Sequence, residues 1–104
     1  MLRKDGQWID AIPQQDELVI NVGDMLERLT NNKLRSTIHK VINPPREQWD
    51  KPRYSIPFFM HPRSEMPLNC LEECIDENHP KQYEDITAGD FLHQRLVEIG
   101  LIKK

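Results

Sequence analysis

Apolar residues in this chain recur first at two-residue and later at three-to-four-residue spacing, a pattern that predicts strands in its first part and a helix at its end. Gly6 to Asp10 alternate small or polar with apolar after the turn signal Lys4-Asp5-Gly6, which predicts a short strand entered from a hairpin whose first strand lies before Met1. After the loop Pro13 to Asp16, the β-branched run Glu17 to Val22 reads as a buried strand stopping at Gly23. Asp24 fits an N-cap, and Met25, Leu26 and Leu29 form the apolar stripe of a short helix ending in the polar turn Asn31-Asn32. A third strand spans about Leu34 to Ile42, with Thr37, His39 and Val41 on one face and Ile38, Lys40 and Ile42 on the other. Asn43-Pro44-Pro45 ends it, since proline cannot donate to a ladder, and a polar loop leads to Pro52. In the fourth strand, Arg53 to Met60, Arg53, Ser55, Pro57 and Phe59 share one face, and Tyr54, Ile56, Phe58 and Met60 the other.

From His61 to about residue 85 the chain is proline-punctuated and acidic, as an irregular excursion over the surface would be. Thr87 with Asp90 three residues on resembles a capping box. Ala88, Leu92, Leu96 and Ile99 then mark the stripe of a helix over about 87–99, and Gly100 is placed to end it. The expected fold class is mainly β with a C-terminal helix. No internal repeat or low-complexity tract interrupts the chain.

At 104 residues the chain is one domain or part of one. Its 38% hydrophobic and 30% charged residues fit a folded protein, and a net charge of −3 gives no reason to expect a nucleic-acid surface. No apolar run approaches the roughly 20 residues that span a bilayer, and the N-terminus lacks the apolar core of a signal peptide, so the expected compartment is the cytoplasm. Cys70 and Cys74 are too few for a disulfide framework and are expected as reduced thiols. With His79 they could form a zinc half-site, but structural zinc ordinarily takes four ligands in paired knuckles.

The chemically informative residues are His39 on one strand and Arg53-Tyr54-Ser55 opening the next. An inward strand histidine can offer a neutral imidazole to a metal, and an arginine and a serine two residues apart can grip one carboxylate. Spacing alone leaves the plainer reading open: a histidine bonded within the core and an arginine in an ordinary ion pair. Phe58 and Phe59 are candidates for a substrate pocket or for core packing. His61, His79 and His93 are expected on the surface.

The stretches Val19 to Asp24, Leu29 to Asn32, Arg35 to Val41 and Arg53 to Phe59 resemble, in order and spacing, the consecutive C-terminal motifs of the isopenicillin-N-synthase-like, 2-oxoglutarate/Fe(II)-dependent oxygenases. The opening Lys4 to Trp8 and the closing helix are similar to the family's bacterial members. The resemblance implies the C-terminal half of a double-stranded β-helix, or jelly roll, with barrel strands over about 6–60, within a dioxygenase domain part spanning 1–104. It implies His39 as an Fe(II) ligand and Arg53 with Ser55 as the anchor of 2-oxoglutarate. O2 and a small-molecule substrate would be the other reactants. Relatives that do without 2-oxoglutarate carry the same Arg-x-Ser pair, so the motif does not by itself fix the cosubstrate.

In the family, iron is also held by a His-x-Asp pair, which would lie upstream of the Lys-Asp-Gly turn. Here His39, His61, His79 and His93 are followed two positions on by Val41, Arg63, Lys81 and Arg95. The expectation is therefore a fragment of an oxidoreductase that lacks the His-x-Asp ligands, contains no further catalytic residue and self-associates through exposed strand edges. The alternative is a non-catalytic module that holds a dicarboxylate or pairs with another chain.

Overall fold

The computed structural model describes residues 1–103. Two α-helices, α1 (Asp24–Leu29) and α2 (Ala88–Glu98), and two short 3-10 turns, Arg46–Gln48 and Glu72–Cys74, are its regular elements. The expected mainly-β fold is not what forms. Among the described residues there is no sheet; pairing is confined to three isolated antiparallel bridges, Leu2 with Trp8, Pro67 with Thr87 and Asp76 with His79. The reason lies in the ladder: a strand is defined by a neighbour that takes its N–H and C=O groups. Residues 17–22, 34–42 and 53–60 run without such a neighbour and are mostly exposed. The partial jelly roll is corrected accordingly.

Residues 1–9 do make a hairpin, and both arms lie inside the chain. Arg3 N–H donates to Gln7 O at 2.8 Å and Ile9 N–H to Met1 O at 2.8 Å around Gly6, whose φ of 84° favours glycine. The partner expected before Met1 is thus Met1 to Arg3.

The core is small and sits between the helices. Leu68, Ala88 and Phe91 are buried together, with Met25 of α1 and Ile86 packed against them. The segment after His61, expected as a surface excursion, therefore contributes the most buried apolar side chain, Leu68. Its backbone is tied to the start of α2 by Leu68 N–H to Ile86 O at 2.7 Å and Ala88 N–H to Met66 O at 2.8 Å.

Helix α2 starts where the Thr87 side chain accepts from Asp90 N–H, and it ends before Gly100, whose φ is 80°. Its buried residues are Ala88 and Phe91, and the Ile99 of the expected stripe is exposed. Arg95 links the helices: Nε lies 3.5 Å from Asp24 Oδ2 and the guanidinium 5.1 Å from the Phe91 ring centroid. The hydrogen bond to Glu98 raises the pKa of Arg95 against the opposing effect of partial burial, and Asp24 adds to the rise. Asp24 is the first residue of α1, and Gly23 occupies the N-cap position expected for Asp24.

Candidate functional site

The segment carrying His39 leaves α1 through two residues in left-handed conformation, Asn31 at φ 51° and Asn32 at φ 69°. Asparagine tolerates this region because its short side chain bonds locally, so the polar turn expected at this point forms. Side chains of α1 and of its C-cap Thr30 then hold the outgoing backbone. Thr30 Oγ1 donates to Leu26 O at 2.8 Å and accepts from Leu34 N–H at 3.1 Å. Glu27 Oε2 accepts from Ser36 N–H at 2.5 Å.

His39 is exposed, and its Nδ1 lies 3.0 Å from Thr37 O. A carbonyl only accepts, so Nδ1 carries the proton, and in the neutral ring Nε2 is left with its lone pair. This arrangement leaves Nε2 available to a metal, with the other nitrogen held by a backbone oxygen. His39 lines an open depression of about 480 Å³ together with Asp24, Glu27, Arg35, Ser36, Thr37 and Ile38.

Arg53 lines a second depression of about 460 Å³ with residues that include Val41, Ile42, Trp49 and Lys51. Ser55 is exposed and belongs to neither. The structure thus sets His39 and Arg53 in two separate hollows rather than in one. Among the described residues no three His, Cys, Asp or Glu side chains gather as a metal site. Asp24 and Glu27 beside His39 are engaged by Arg95 and by the Ser36 amide. The described residues therefore offer one imidazole and not a ligand set that fits iron.

The other histidines divide. His61 and His93 are exposed, as expected, whereas His79 is half-buried, with Nε2 bonded to the Asn31 carbonyl. Cys70 and Cys74 are both free, and among the described residues they do not gather with His79 as a metal site. Cys70 is buried, its sulfur 3.4 Å from Arg28 O and 3.7 Å from Asn31 Oδ1.

Residues 1–62 match the 2OG-Fe(II) oxygenase superfamily. The chain belongs to that superfamily. A crystal structure of a 2OG-Fe(II) oxygenase family protein from Caulobacter crescentus is 54% identical to it, with a TM-score of 0.88 over 94% of this chain and 32% of that one. The 2-oxoglutarate-Fe(II) type oxidoreductase ppzC of Metarhizium majus is 35% identical over 92% of this chain and 25% of its own length. Kihadalactone A synthase LFS of Citrus sinensis is 34% identical over 89% and 26%. The chain spans a quarter to a third of the length of these superfamily relatives. His39, Arg53 and Ser55 all fall within the stretch that matches the superfamily.

Two residues that hold the site, Glu27 and Thr30, carry no sequence signal of that role. Periodicity places them on a helix but says nothing of the amides they accept from, nine and four residues further along the chain.

Proposed function

We propose that the chain is part of a 2-oxoglutarate- and Fe(II)-dependent oxygenase acting on a small molecule. In this reading His39 contributes one imidazole to the iron, and Arg53 with Ser55 anchors the distal carboxylate of 2-oxoglutarate. The carrying observation is the 3.0 Å contact of His39 Nδ1 with Thr37 O, which leaves Nε2 open to a metal, within the stretch matched to the superfamily. Fe(II) with 2-oxoglutarate, if held by the complete oxygenase, would supply the activation of O2. The chain's own residues bind and orient: the Arg53 guanidinium offers a planar fork of donors to a carboxylate, and the Ser55 hydroxyl offers one more.

The test is an anaerobic nuclear magnetic resonance titration of the chain with Fe(II) and, separately, with 2-oxoglutarate. Fe(II) is expected to broaden the His39 ring signals ahead of those of His61, His79 and His93, and His39→Ala to abolish the effect. 2-Oxoglutarate is expected to shift Arg53 and Ser55, and Arg53→Leu to weaken its binding more than ten-fold, as loss of a charge-assisted pair does. Equal broadening of all four histidines refutes the iron role. Dicarboxylate binding at Arg53 with no Fe(II) effect at His39 identifies a binding module instead.

A further inference from the structure

We infer that Glu27 is a positioning residue for His39. This inference rests on the reading of His39 as an iron-binding imidazole. The segment from Leu34 to Ile42 has no strand beside it, so side chains of α1 and of its C-cap act as its neighbour. Leu34 N–H meets Thr30 Oγ1 at 3.1 Å and Ser36 N–H meets Glu27 Oε2 at 2.5 Å. Alternate N–H groups of an extended chain point to one side, which is why positions 34 and 36 both reach the helix.

Of the two, the bond to the Glu27 carboxylate is charge-assisted, hence the stronger. It holds the Arg35–Ser36 peptide, shortly ahead of the Thr37 carbonyl that lies 3.0 Å from His39 Nδ1. Among the described residues, the other backbone tie on this segment is Leu2 N–H to Ile38 O at 2.9 Å. Thr37 lies between these two ties, so releasing Ser36 removes one of the two holds on the carbonyl beside His39 Nδ1. Glu27 itself is half-buried, and its own N–H is anchored to Gly23 O at 3.0 Å, so its base does not drift.

The experiment follows two signals in the 104-residue chain at a pH where the ring is neutral: amide exchange at Ser36 and the ring nitrogen shifts of His39. Glu27→Ala is expected to speed Ser36 exchange on the order of ten-fold or more. It is also expected to turn His39 from predominantly Nδ1-protonated into a mixture of tautomers. Glu27→Gln, which keeps an oxygen acceptor, is expected to restore most of the wild-type tautomer balance. Should Glu27→Ala unfold, Glu27→Met takes its place, keeping the side chain's length without its oxygens. An unchanged His39 in a variant whose Ser36 amide has been released overturns the inference. Repeating the Fe(II) titration separates the two readings. A His39 that responds to Glu27 but not to Fe(II) refutes the iron role and upholds the positioning. A His39 that binds Fe(II) and ignores Glu27 does the reverse.

Discussion

At Asn31 the backbone and the side chain meet two separate demands. The backbone must turn through φ 51°, and the fully buried side chain must satisfy a loop brought from far along the sequence. Nδ2 donates to Cys74 O at 3.2 Å and Pro80 O at 3.1 Å, while Oδ1 accepts from Gln82 N–H at 2.8 Å. Asn31→Gly keeps the turn and deletes the bonds, and leaving these buried groups unpaired is expected to cost about 3 kcal/mol. Asn31→Ala loses the same bonds and adds about 1 kcal/mol for a Cβ in the left-handed region. Urea unfolding followed by far-ultraviolet circular dichroism should rank the chains wild type, Gly, Ala. An Ala variant as stable as Gly would show that the turn carries no strain. The polar pair Asn31-Asn32 was legible as a turn because that depends on the residues themselves. Its partners, more than forty positions away, leave no mark in local periodicity.

Helix α2 shows where local rules suffice and where packing overrides them. Thr87 accepts from Asp90 N–H at 3.2 Å, so Thr87→Ala is expected to cost about 1 kcal/mol. Both the cap and Gly100 could be read from spacing alone. Gly89 could not. Propensity would favour Gly89→Ala by about 1 kcal/mol, but a Cβ there would lie 2.9 Å from Ser64 Cβ and 3.1 Å from Ser64 O. Gly89 N–H also donates to Ser64 O at 2.8 Å, so the backbone cannot easily retreat. Overpacking of this kind costs about 1–3 kcal/mol, so Gly89→Ala is expected to be neutral to destabilising. Adding Ser64→Gly removes the Cβ contact and should recover stability; a gain from Gly89→Ala alone would mean that Ser64 moves away freely. The expected strands do not form, for the opposite reason. Alternation at 17–22, 34–42 and 53–60 records which side chains suit a sheet, but a sheet also requires a neighbour, and sequence pattern in one segment does not supply it.

On the scale of the whole molecule, the chain is extended for its length. Its radius of gyration is 17.2 Å, against about 13 Å for a compact chain of about 100 residues. Much of its apolar surface faces water: Tyr54, Ile56, Phe58 and Met60, which alternate along one face of their segment, are 87%, 94%, 84% and 87% exposed. Among the described residues no ladder partner takes the adjacent backbone N–H and C=O groups, so this segment offers both an apolar face and an open edge. Each such side chain gains about 2 kcal/mol when buried, and a second copy of the chain can supply the cover. Sedimentation velocity is therefore expected to show association that grows with concentration. Ile56→Glu with Phe58→Glu should weaken it by more than ten-fold, because losing one buried side chain already exceeds the 1.4 kcal/mol that corresponds to a factor of ten. Both positions are so exposed that the Leu68, Ala88 and Phe91 core should keep its stability within about 0.5 kcal/mol. A wild-type chain that sediments as a monomer at every concentration would mean that the 53–60 segment folds back over its own apolar face in solution. Association unchanged by the two substitutions would place the contact elsewhere, with the other exposed run, around Leu18 and Ile20, as the next to substitute.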